Sequence, residues 1–247
     1  MITGFSDIEK DKEMDTQDTP ITFDQECANS YDKKRERMAP LKDALHLCMR
    51  MVLSELPADA HVLCVGVGTG AELMYLARAF PEWKFTVVEP AAAMLQACRN
   101  QAKELGIFSR CVFHEGYLDT LPPSGAFDAA TSILVSHFFM QQEKRSAFFN
   151  EIAARLRPGG FLVNADLASD ISSQSSKSLF EVWIRMLKYS DFSSDEVEKF
   201  RRTFGKEVAV LPPQEVESLI ATGEFERPVL FSQTLFIHAW YARKTTD

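Results

Sequence analysis

Short apolar runs and amphipathic stretches alternate along most of the chain. Over residues 38–56, Met38, Leu41, Leu45, Cys48, Met49, Val52 and Leu56 recur at helical spacing, giving an apolar stripe suited to packing on a sheet. From residue 61 onward, strand and helix patterns take turns. The spacing predicts a strand over 61–65, a glycine turn and a helix over 71–80, a strand over 84–88, and a helix over 91–105 stopped by Gly106. A third strand follows over 110–114. The run 127–135 is almost continuously apolar, as expected of a strand buried on both faces. A helix over 141–156 ends where Arg157-Pro158-Gly159-Gly160 breaks it, and 161–167 returns as a fifth strand. Repeated strand–helix–strand units imply right-handed crossovers and a parallel sheet.

The pattern changes after Asp170. Ser172 to Ser176 reads as a short linker leading to helices over 179–189 and 194–204. The first carries Phe180, Val182, Trp183, Met186 and Leu187, too much apolar surface to leave in water, so 171–210 is expected to form a helical cap over the sheet edge. A last helix over 213–221 precedes two β-prone stretches, 228–232 and 234–241, whose close succession allows only an antiparallel hairpin. Residues 1–22 are polar and acidic and read as a flexible tail. The remainder, 23–247, reads as a single domain.

Composition narrows the function classes. Hydrophobic residues at 46% and charged residues at 25% are ordinary for a globular chain. Asp and Glu total 35 against 27 Lys and Arg, a net charge of -8, which weighs against a grip on long nucleic acid. No apolar run approaches a membrane-spanning length, and the acidic start lacks the form of a secretory signal. The five cysteines (Cys27, Cys48, Cys64, Cys98, Cys111) have no CxxC spacing, which argues against disulfides and structural zinc and suits a reducing cytoplasm. The histidines also lack ligand spacing, so no metal site is expected.

The chemistry concentrates at Val65-Gly66-Val67-Gly68-Thr69-Gly70, directly after the first strand and opening the first crossover helix. Glycines there let backbone approach a ligand closely, and the helix N-terminus behind them suits a phosphate or a carboxylate. Glu89 ends the second strand, where a carboxylate can accept from both ribose hydroxyls of an adenosine. Gly66, Gly68 and Ala71 also satisfy the GxGxxG/A dinucleotide fingerprint, so local spacing leaves a nicotinamide oxidoreductase open.

The order of features along the rest of the chain resembles a class I S-adenosylmethionine-dependent methyltransferase, from about residue 23 to 241. The glycine loop matches that family's first motif, and Glu89-Pro90 its acid-ended second strand. Phe113 to Leu118 stands at the third motif and Phe127-Asp128 at the fourth. Leu156-Arg157-Pro158-Gly159-Gly160 resembles the family's turn before the fifth strand, and the terminal hairpin its antiparallel closing strand. The resemblance implies a Rossmann-like α/β fold with a seven-stranded, mostly parallel sheet. It implies S-adenosylmethionine as cofactor, S-adenosylhomocysteine as product, and a small-molecule acceptor. Gly66, Gly68 and Gly70 would lie against the methionine portion and Glu89 would hold the ribose. Pro90, Met94, Tyr117 and Leu118 would flank the adenine, and Ser132 would stand at the ligand end of the fourth strand. Tyr117 replaces the acid common after the third motif's glycine, leaving a backbone carbonyl or Asp119 for the adenine amino group.

Residues 23–56 resemble the N-terminal lid of small-molecule methyltransferases, with Tyr31 and Arg35 as cofactor contacts, Arg35 for the carboxylate. A solvated charged run over 33–37 is the competing reading. His137 follows the fourth strand near the expected acceptor, and histidine is suited to general-base work without heavy tuning. Core packing is its alternative. Tyr189-Ser190 followed by Glu196 and Arg201 faintly resembles carboxy-S-adenosylmethionine synthases, which modify the cofactor itself. A tRNA-directed methyltransferase and a non-catalytic cofactor-binding protein complete the alternatives, and monomer and homodimer are both open.

Overall fold

A computed structural model describes residues 36–246 of the chain. Tyr31 and Arg35, the rest of the proposed lid before residue 36, and the acidic tail lie outside the described residues. After a short 3-10 turn at Glu36–Met38 the elements are α1 (Ala39–Leu53), β1 (His61–Val65), α2 (Ala71–Ala79), β2 (Lys84–Glu89), α3 (Ala92–Glu104), β3 (Cys111–Glu115) and β4 (Phe127–Ile133). There follow α4 (Gln142–Arg155), β5 (Leu156–Leu167), α5 (Gln174–Tyr189), α6 (Ser194–Thr203), α7 (Pro213–Ala221), β6 (Val229–Thr234) and β7 (Ile237–Arg243). They form one seven-stranded sheet in the order β3-β2-β1-β4-β5-β7-β6. β1 to β5 run parallel, while β7 is antiparallel to both β5 and β6, as the terminal hairpin requires.

Alternation along the strands divides the core. Val62 and Cys64 of β1 face α1, α2 and α3, where Met49, Leu53, Leu73, Leu76 and Leu95 are buried. Leu63 and Val65 face the opposite way, toward Phe149 and Ile152 of α4 and Val216 and Ile220 of α7. Fully burying each such side chain contributes about 1.5–3 kcal/mol before chain entropy is counted. α5 and α6 make the cap. Trp183, Ile184, Leu187 and Val197 gather with Phe236 from the β6–β7 turn and with Leu134 and Phe138, which follow β4.

Two element starts differ most from the sequence reading. β5 starts at Leu156, not after the glycines, because Leu156 pairs with Phe127 and a register shift between Phe127 and Ala129 absorbs the Arg157–Gly160 turn. α5 starts at Gln174 inside the serine run. Ser173 caps it, its Oγ accepting from the Ser176 backbone N–H, so the run is a helix start rather than a linker.

Candidate active site

The carboxyl ends of β1 to β5 share one edge, and the residues of interest meet there. The glycine loop is anchored from β2: Gly66 and Val67 both donate to the Val88 carbonyl, at 2.8 and 3.3 Å. Gly66 has φ of +65, and a Cβ there would stand 2.5 Å from Cγ2 of Val135, so the loop after β4 presses directly on the glycine loop. Gly70 is closed in similarly, with Cys98 Sγ 2.7 Å from where a Cβ would stand. Gly68 is different. Its φ is +57, and nothing lies within 4 Å of its missing Cβ. The middle of the loop is therefore an open cradle.

Glu89 is 7% exposed and is tied to this loop. Its Oε2 accepts from the Gly68 N–H and its Oε1 from the Ala91 N–H, each at 2.9 Å. Burial raises its carboxyl above the ordinary range, and the two backbone donors pull it back. A carboxylate offers about four acceptor sites. The two remaining can take hydroxyl donors. The Glu89 carbonyl in turn accepts from Gly116 N–H at 3.2 Å, which brings exposed Tyr117 and buried Leu118 to the same edge. Pro90 is exposed beside them. Met94 is buried one turn before Cys98 on α3. Ser132 is fully buried inside the sheet, in register with Asn164 of β5, on the α4 side.

His137 is not solitary. Leu134, at φ +61, turns the chain out of β4 into a 3-10 turn at Ser136–Phe138. There the Nδ1 of His137 lies 3.0 Å from Oδ1 of Asp166, and its backbone N–H donates to the same oxygen at 3.0 Å. Asp166 is fully buried on β5 and is heavily supplied with donors. Asn164 Nδ2 donates to its Oδ2 at 2.7 Å, Ser136 Oγ donates to the same oxygen, and Arg145 Nη2 of α4 stands 2.9 Å away. Arg145 Nε also donates to Ser136 Oγ at 2.8 Å, and the whole guanidinium is buried.

Burial pushes the Asp166 carboxyl upward, but Arg145 and the donors from His137 and Asn164 outweigh it and hold it well below the carboxylate range. An ionised Asp166 can only accept. The proton between them therefore sits on His137 Nδ1, and Nε2 has no hydrogen-bond partner among the described residues. Sequence reading found His137 but missed Asp166, Arg145 and Asn164. The available signal was two polar residues at i and i+2, Asn164 and Asp166, inside an otherwise apolar strand. That spacing puts both on one face.

An open cleft of about 410 Å³ lies at the same edge, between the end of β5, the start of α5 and the β6–β7 turn. Ser169, Asp170, Leu179, Leu235 and His238 help line it. His238 pairs in register with Asp166, so the cleft floor is one strand away from the His137–Asp166 pair. Burial lowers the His238 pKa. Among the described residues no group of histidine, cysteine and acid side chains could hold a metal, and no helix is long and apolar enough to cross a membrane.

Residues 62–160 match the family model described as a methyltransferase domain. The chain is 25% identical over 202 residues to a carboxy-S-adenosyl-L-methionine synthase of Campylobacter jejuni, covering 80% of this chain and 82% of that protein. It is 32% identical over 106 residues to a fatty-acid O-methyltransferase of Mycolicibacterium smegmatis, 42% of this chain and 36% of that one. The fold is similar to an O-methyltransferase family protein from Burkholderia thailandensis, with a TM-score of 0.61 and 18% identity over 93% of this chain. The chain spans 65% of that structure's length and 58% of a structural relative from Nostoc punctiforme. With the glycine loop, the acid-ended second strand and the closing antiparallel hairpin in place, residues 62–160 match a methyltransferase domain, and the sheet around them has the fold of S-adenosylmethionine-dependent methyltransferases.

Proposed function

We propose that the protein transfers the methyl group of S-adenosylmethionine to a small-molecule acceptor, with His137 as general base. The observation that carries this reading is the buried Asp166–His137 pair, two residues from the Val135 that closes on Gly66. The pair therefore stands beside the loop that the family uses for its cofactor.

The residues present fit that cofactor. The open cradle at Gly68 would receive the methionine portion, and the two unused acceptor sites of Glu89 would take the ribose hydroxyls. Pro90, Tyr117, Leu118 and Met94 would border the adenine, Ser132 would back the site from within the sheet, and Tyr31 and Arg35 would close over it. When bound, S-adenosylmethionine supplies an electrophilic methyl group for in-line displacement. His137 Nε2 takes the proton that the acceptor heteroatom loses. Asp166 holds the ring in that tautomer and balances the imidazolium that forms. Arg145 keeps Asp166 ionised while it does so.

The acceptor side is walled by the cap. Leu134 and Phe138 flank the His137 turn and belong to the same apolar cluster as Trp183 and Phe236, which suits a molecule with an apolar body. The net charge of -8 weighs against a long nucleic acid. The test is S-adenosylhomocysteine formation by the purified protein across a panel of phenols, carboxylic acids, amines and thiols. Turnover with one class, lost in His137→Ala, supports the reading; turnover that His137→Ala leaves intact removes the base from it.

A second reading, modification of the cofactor itself, is favoured by the relatedness to carboxy-S-adenosyl-L-methionine synthase across 80% of this chain. It predicts that mass spectrometry of the protein purified from cells finds the cofactor carrying an added carboxyl group.

A further inference from the structure

Directly after the glycine loop, the first turn of α2 holds a second buried acid. Glu72 is 6% exposed, and among the described residues its carboxyl accepts only from its own backbone N–H. Among the described residues, the groups that act on it electrostatically are Glu89 from β2, Cys64 from β1 and Cys98 from α3, and none is a cation. Two carboxyls, Glu72 and Glu89, are thus enclosed against the same loop, with no positive charge beside Glu72 among the described residues. Burying an acid without a partner is costly, and a core helix position would be filled more cheaply by an apolar side chain. A cation brought in by a ligand removes the cost.

The cradle at Gly68 opens on the same loop. The cofactor carries an α-ammonium on the methionine portion that the loop would receive. We infer that Glu72 is the counter-ion for that ammonium, with Glu89 left to the ribose. Burial raises the Glu72 carboxyl to about 8, so it enters the complex protonated near neutral pH and ionises as the ammonium arrives. Binding therefore releases a proton. The inference rests on the cofactor and not on the methyl-transfer step, so an inactive His137 variant leaves it standing.

The experiment is calorimetric titration of the full chain with S-adenosylhomocysteine and, separately, with 5′-methylthioadenosine, which has the same nucleoside and thioether without the amino acid. Each is run at pH 7 in two buffers of different ionisation enthalpy. The wild type is expected to release close to one proton on binding S-adenosylhomocysteine and none on binding 5′-methylthioadenosine. Glu72→Gln is expected to weaken S-adenosylhomocysteine roughly ten- to hundredfold, to abolish its proton release, and to leave 5′-methylthioadenosine unchanged. Wild-type affinity and proton release in Glu72→Gln would overturn the assignment, as would equal loss of both ligands. Thermal unfolding of the variant, expected at or above the wild-type temperature, separates a binding defect from a folding one.

Discussion

Glu72 allows a stability prediction that can be worked through. Its carboxyl is raised from 4.5 to about 8 by burial, so the folded chain holds a proton that the unfolded chain gives up. Stability from the neutral acid is fully present below pH 4.5 and is lost as pH rises toward 8. The loss is about 1.4 kcal/mol per pH unit across that window. At pH 7 this comes to about 3 kcal/mol. Glu72→Gln keeps the shape of the neutral acid and cannot ionise, so it should recover most of that. For a chain of this length, about 2–4 °C per kcal/mol places the apparent rise in Tm at roughly 4–12 °C. The assay is urea unfolding of both proteins from pH 5 to 8.5 without cofactor, because bound ligand would add its own stabilisation. The two curves should converge near pH 5 and diverge steadily above it. Parallel pH profiles would refute the reasoning, because they would mean that Glu72 is ionised and solvated in the folded chain. A more stable variant that binds its cofactor less well is the expected trade between stability and a ligand-ready site.

Three further outcomes test the site. Arg145→Met leaves the buried Asp166 charge without its main partner and should cost about 3–5 kcal/mol in urea unfolding. Asp166 is depressed in the folded state, so its contribution is present above its ordinary 3.8 and fades as pH falls below it; the acid-unfolding midpoint of the variant should therefore move upward. His137→Gln should lower kcat by about 10²–10⁴-fold with S-adenosylhomocysteine affinity unchanged, read by steady-state kinetics and calorimetry once an acceptor is found. Gly68→Ala and Gly70→Ala should separate two roles of the loop. The first meets no protein atom and pays mainly for its φ, about 1–2 kcal/mol, but should lose cofactor affinity; the second also meets Cys98 and should show the larger fall in urea midpoint.

Much of this protein was determined by local pattern. Strand and helix periods placed β1 to β4 and α2 to α4 within a residue or two, because the apolar repeat that buries an element also defines it. The glycine loop and Glu89 were legible for the same reason: residues 66–70 and 89 do their work within one β-α-β unit. Even the hairpin direction followed from the short gap between β6 and β7. The start of α5 was misread because serines are common both to linkers and to helix caps, and only the Ser173 hydrogen bond distinguishes them. The long-range chemistry was decided by tertiary structure. His137, Arg145 and Asp166 come from a turn, a helix and a strand, and Asp166 is 29 residues from His137. No local period encodes their meeting. Likewise, the sequence shows Glu72 as one more acid on a helix. Its burial, and the raised carboxyl that follows, arise only when β1, β2 and α3 close around it and exclude the water that would otherwise solvate its charge.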